Sequence, residues 1–279
     1  MLLRLLRPLA PLALLAPGLA ATPARGAAPA PLPYRFLVVI HDQWKDPASE
    51  VIQERNEFSL LCSLLRSWGL PFAIHRLDQQ RFDAYHLLDR EGRPLYGTIL
   101  WNAPGAALDA HGTGTLRLLV RDHGVGLVAF SDTVENPVIA ELAGLRPQGK
   151  STTTGRLEPA GEHFITRGVE PNPPVPVVTK LHRSPWTTAN QPTVSGPNVA
   201  LAGATAIARS GSQPLLTVHA HPGGGRVVWL DVERSSGRLF RQEMRDILKR
   251  ALVWVQGYAL YAEYPRSVVL SMDDMGSSD

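Results

Sequence analysis

The chain has little cysteine, few aromatic residues and no long hydrophobic run outside its first 30 residues. Each shortage excludes something. Cys62 is the single cysteine among 279 residues, so no intramolecular disulfide forms and a hydrophobic core must hold the fold. No segment after the leader has the roughly 20 consecutive apolar residues that a membrane-spanning helix needs. Excess charge is also scarce. The formal net charge is +3, but Arg4, Arg7 and Arg25 all lie in the first 28 residues, which hold no acidic residue. The remainder carries equal numbers of basic and acidic side chains, which gives no basis for nucleic-acid or anionic-lipid binding.

What is present begins with a leader. Arg4 and Arg7 precede an apolar run from Pro8 to Ala21, and small residues follow at Ala20 to Ala24 and Gly26 to Ala28. This is the charge, apolar core and cleavage-site order of a secretory signal peptide. The run is too short to span a bilayer and is interrupted by Pro8, Pro11 and Pro17. Residues 1–28 are therefore expected to be removed on export to the periplasm or the medium, with 29–33 an Ala/Pro leader.

The pattern then alternates. Arg35 to Ile40 is an apolar, β-branched run suited to a buried parallel strand. Between Glu50 and Trp68, Phe58, Leu61, Cys62, Leu65 and Trp68 fall on one helical face, and Gly69 ends the helix. Further strands are predicted at Pro71 to His75, Tyr96 to Trp101 and Gly126 to Phe130, with helices at Thr113 to His123 and Glu135 to Leu145. Residues 146–197, rich in Pro, Thr and Gly, read as an irregular insertion. An ordered stretch at Val199 to Ala208 leads to a hairpin of Leu215 to His221 and Arg226 to Leu230 around Pro222-Gly223-Gly224-Gly225. A last helix runs from Phe240 to Val255. The expected fold is α/β, a flavodoxin-like parallel sheet with helices on both faces, over residues 34–257. Residues 258–265 connect it to Ser267–Met272, the first strand of a truncated second domain over 266–279.

Two segments carry resemblances. Ser271-Met272-Asp273-Asp274-Met275-Gly276 places two adjacent carboxylates after an apolar strand and resembles the first motif of the polysaccharide deacetylase family. By position, the resemblance makes Asp273 the catalytic base and Asp274 a ligand for zinc or a similar divalent metal. Met275 stands where that family has glycine, and the family's two histidine ligands would fall downstream of Asp279. The metal is thus expected only in a longer protein, and the chain as given is expected to be inactive. The body resembles the class I glutamine amidotransferase-like fold, through its strand–helix order, His163-Phe164-Ile165-Thr166-Arg167-Gly168, and the Gly-Gly-Gly-Arg-Val-Val-Trp-Leu hairpin before the closing helix. That family's nucleophile is a cysteine on a glycine-flanked elbow. The matching place here, Ala129-Phe130-Ser131-Asp132-Thr133, has neither the cysteine nor the glycines, so amidotransferase chemistry is not implied.

The loops after the first and fourth strands lie at the carboxyl edge of the sheet, where α/β proteins bind ligands. His41, Asp42, Trp44, Ser131 and Asp132 are the candidate binding residues there, Trp44 as a stacking surface for a sugar ring. Ser131 lacks the G-x-S-x-G setting of a serine nucleophile. Cys62, on an apolar helix face, reads as a buried structural thiol. His219 and His221 share one strand face but lack a third metal ligand, and read as solvent-facing or hydrogen-bonded. Together these features suggest the front part of an exported carbohydrate-active protein acting on a polysaccharide. The alternative is a non-catalytic α/β domain that binds a glycan or a protein.

Overall fold

The structure is a computed structural model that describes residues 31–41, 57–103, 108–153, 156–169, 175–176, 194–231 and 242–260. Expectations for the leader up to residue 30, and for Asp42, Trp44 and 266–279, lie outside the described residues.

Strand β1 (Phe36–Ile40) is buried along its whole length. It pairs in parallel with β2 (Phe72–Arg76) on one side and β3 (Thr98–Trp101) on the other. Strand β4 (Gly126–Phe130) pairs in parallel with β3. Side chains alternate between the two faces of a strand, and β1 shows it. Phe36, Val38 and Ile40 enter one core, with helices α1 (Glu57–Ser67) and α5 (Gln242–Gln256), whereas Leu37 and Val39 enter the other. That second core takes Leu87 of α2 (Ala84–Leu87), Leu116 of α3 (Ala110–Arg117) and Val138, Ile139 and Leu142 of α4 (Pro137–Leu142). The FLVVI run is apolar throughout because both its faces are covered. The α/β architecture with helices on both faces is as expected.

The sheet continues beyond its parallel half. Among the described residues the remaining strands are β5 (Leu145–Thr153), β6 (Arg156–Pro159), β7 (Val175–Pro176), β8 (Val194–Leu201), β9 (Thr205–Ser210), β10 (Gln213–Ala220) and β11 (Arg226–Leu230). The nine-stranded sheet runs β2-β1-β3-β4-β11-β10-β9-β6-β7, and β5 and β8 form a separate pair. Strand β11 is parallel to β4 and antiparallel to β10, so the β10–β11 hairpin converts a parallel sheet into an antiparallel extension.

Three local expectations need correction. Residues 146–197, expected to be irregular, hold most of β5, all of β6 and β7 and the start of β8. Pairing partners 41 to 56 residues apart and a register shift between Pro147 and Lys150 hide β5 and β8 from any local pattern. The single ordered stretch 199–208 is two strands in different sheets, β8 and β9. The helix expected at 113–123 starts earlier and gives way to a π-helical turn over Leu118–Asp122.

Cys62 is 4% exposed in the first core, and burial raises its thiol pKa to about 11. Cys62→Ser should cost about 1–2 kcal/mol in denaturant unfolding, because a hydroxyl replaces a weakly polar thiol in apolar surroundings. Wild-type Cys62 should resist thiol reagents until the protein unfolds. Rapid labelling of the native protein would contradict the burial.

Candidate functional site at the carboxyl edge of the sheet

The strand registers decide which residues meet at the carboxyl edge. Trp101, Ala129 and Trp229 stand level across β3, β4 and β11, and Leu230 is level with Phe130. One step further, Ser131 and Asp231 stand side by side at the ends of β4 and β11. His41 and Asn102 close the edge at the ends of β1 and β3.

Ser131 is the only described residue other than glycine with a positive φ, at 37°. A non-glycine residue in this region carries backbone strain and needs support from its surroundings. Here that support is specific. The Trp229 indole Nε1–H donates to the Ser131 carbonyl at 2.9 Å. The Thr133 hydroxyl donates to the Phe130 carbonyl at 2.6 Å and accepts from the Phe130 amide at 3.1 Å, which closes the short 3-10 turn Ser131–Glu135. Asn136 then caps α4 by accepting from the Val138 amide at 3.1 Å, with Pro137 in the first turn. The sharp strand-to-helix turn is therefore present, built without the flanking glycines.

Beside it, Asp231 is fully buried, and its carboxyl group has no hydrogen-bond partner among the described residues other than the Ser131 side chain. Burial pushes its carboxyl pKa well above the usual range; the Ser131 side chain partly offsets this, and the Asp132 charge adds to it. Burial thus disfavours the carboxylate form of Asp231 beside Ser131.

This has a consequence for stability. A carboxyl whose folded pKa is raised binds a proton in the folded state that the unfolded chain, with an ordinary Asp pKa near 3.9, releases. Stability from this group is full below about pH 4 and falls as pH rises towards the folded value. Asp231→Asn should remove that fall and make the variant more stable relative to the wild type at pH 7 than at pH 4. Denaturant midpoints across pH 4 to 8 check this. A variant whose midpoints track the wild type over the whole range would contradict it.

The other candidates separate. His41 is half-buried and sits near Asp78, whose carboxyl pKa is lowered first by its hydrogen bond to Arg76 and in smaller part by His41. Asp132 is half-buried. Asp42, Trp44, Asp273 and Asp274 lie outside the described residues. Among the described residues no group of three His, Cys, Asp or Glu side chains is placed to hold a metal. Sequence reasoning missed Asp231 and Trp229. Their signal was an apolar strand, RVVWL, that ends in an acid at the same edge as Ser131.

These features define an amidotransferase-like α/β fold with a serine at its elbow. The solved structures bear out the fold. The chain superposes on a ThuA-like protein from Bacteroides uniformis ATCC 8492 with a TM-score of 0.51 at 12% identity, covering 82% of this chain and 94% of that one. A ThuA-like protein from Parabacteroides merdae ATCC 43184 gives 0.51 at 11% identity, covering 82% and 91%. A cytoplasmic protein from Salmonella typhimurium LT2 gives 0.51 at 14%, covering 80% and 97%. ThuA-like proteins have the class I glutamine amidotransferase-like fold. The chain also spans 34% of the length of the exo-β-1,4-mannosidase Op5Man5 from Opitutaceae bacterium strain TAV5, at a TM-score of 0.43, too low to establish a common fold. No family model and no curated protein matches the sequence.

Proposed function

We propose that the chain is the front part of an exported, carbohydrate-active protein in which the α/β domain binds rather than cleaves. One observation carries this reading. At the elbow, where the fold class keeps its nucleophile, Ser131 is 4% exposed and its neighbouring acid, Asp231, is fully buried, which disfavours its charged form. A serine needs an adjacent base and access to substrate to become a nucleophile, and burial of the pair works against both.

The chemistry then falls to Asp273 and Asp274, in a longer chain with a polysaccharide as substrate. Hydrolysis of an acetyl group is the reaction their deacetylase-like setting suggests. Asp274 alone falls short of the four ligands of a zinc site, so the metal would need ligands from residues beyond Asp279. Support comes from the leader, from the apolar run Ser267 to Met272 before the acid pair, and from the amidotransferase-like fold ahead of it.

The test is acetate release from an acetylated polysaccharide by a chain that continues through the sequence following Asp279 in its gene. Release that stops with a chelator and returns with zinc is the expected result. No release from any acetylated glycan, together with glycan binding by the α/β domain, would favour the purely binding reading.

A further inference from the structure

The histidine pair of β10 stands in a place that the carboxyl-edge site does not use. His219 and His221 line a cavity of about 540 Å³ between α4, β5 and β10, together with Arg121, Glu141 and Arg146. Both rings are anchored. His219 Nδ1 lies 3.0 Å from the Gly203 carbonyl, and His221 Nε2 lies 2.9 Å from the Leu142 carbonyl. A carbonyl only accepts, so each of these nitrogens carries the proton. In the neutral ring the opposite nitrogen, Nε2 of His219 or Nδ1 of His221, is left with a lone pair. Neither has a partner among the described residues.

The fold makes room for this arrangement. A Cβ on Gly144 would lie 2.9 Å from His219 Nδ1, and one on Gly203 would lie 3.1 Å from its Cε1. Both glycines have positive φ, 64° and 112°. Burial is the largest effect on the His221 pKa and lowers it; the Leu142 carbonyl opposes it, the His219 ring and Arg121 lower it further, and Glu141 raises it least. His221 therefore stays an acceptor at neutral pH. The two rings meet edge to face, with centroids 4.6 Å apart.

The surrounding charge is positive. Glu141 is the cavity's one acid, and it is held by Arg117 through Nε at 3.0 Å and by Arg121 at 2.7 Å. Arg146 is exposed and has no ion-pair partner among the described residues. A free cation beside a lone carboxylate already held by two arginines disfavours a metal ion and favours an anion. Two imidazole acceptors favour a ligand that also carries hydroxyl donors.

We propose that this cavity binds an acidic saccharide, with Arg146 on a sugar carboxylate and His219 and His221 accepting from sugar hydroxyls. The inference rests on the carbohydrate reading above and deepens it. The probes are trigalacturonate and its carboxyl-reduced, neutral counterpart, titrated calorimetrically into the full chain at low and high salt. The expected result is binding of the uronate at least tenfold tighter than the neutral sugar, weakened by salt. Arg146→Ala should abolish that preference, and His221→Ala should weaken binding of both sugars by about tenfold. Arg146 is exposed, so its replacement keeps the test valid even if a histidine variant folds poorly. Equal affinity for the two sugars, or uronate binding untouched by these variants, overturns the site while the carbohydrate reading stands. Zinc binding that depends on both histidines, with no uronate binding, also overturns it. If neither sugar binds and the longer chain acts on no polysaccharide, both readings fall.

Discussion

Asp273→Asn, in a chain continuing past Asp279, should lower the rate of acetate release by about two to four orders of magnitude. A carboxylate that takes a proton from the attacking water contributes this much through proton transfer. An amide of the same shape keeps the geometry and loses the basicity. Metal retention should be nearly unchanged, because the base is not the ligand. Asp274→Ala should show the opposite signature, with metal content and activity falling together. Steady-state rates with parallel metal analysis separate the two roles. If both variants lose metal to the same degree, the assignment of base and ligand to this pair is wrong. If neither loses activity, the acid pair is not the catalytic centre.

Gly225→Ala should destabilise the α/β domain by about 3 kcal/mol, near the upper end for overpacked sites. The turn between β10 and β11 rests directly on the π-helical turn. A Cβ on Gly225 would sit 1.8 Å from the Val120 carbonyl oxygen, and one on Gly223 would sit 1.6 Å from that of Arg121. Both obstacles are backbone atoms that cannot swing away. The hairpin would have to lift off, and β10 and β11 join the parallel and antiparallel halves of the sheet. Gly114→Ala is the control. It lies within α3 with nothing near its Cβ position, and should stabilise the protein by about 0.5–1 kcal/mol. Denaturant unfolding that ranks Gly225→Ala with Gly114→Ala would contradict the close approach of the two turns.

These glycines also show what the sequence could reveal. The Pro-Gly-Gly-Gly run announced a turn between two apolar strands, because turn chemistry is local. The FLVVI strand and the Met244, Ile247, Leu248, Ala251, Leu252 face of α5 were equally legible, since burial leaves its period in the residues themselves. Strands β5 and β8 were not. Their pairing is long-range and bulged, and Thr, Pro and Gly leave no alternation to read. Ser131 could be placed at a strand end from sequence. Its positive φ, and the fully buried Asp231 beside it, depend on the register of two strands 100 residues apart. The same limit applied to His219 and His221, whose carbonyl partners come from Gly203 and Leu142.

Under the proposed function the elbow of this fold is silent and the chemistry lies with the acid pair. The most direct test of this is Ser131→Ala in the longer chain, assayed for acetate release beside the wild type. Removing one hydroxyl there leaves the turn's backbone hydrogen bonds in place, including that from Trp229 to the residue 131 carbonyl. The expected rate is within about twofold of the wild type, since a group outside the reaction contributes nothing to its barrier. A loss of a hundredfold or more, with the protein still folded, would place the chemistry at Ser131 and contradict the proposed function.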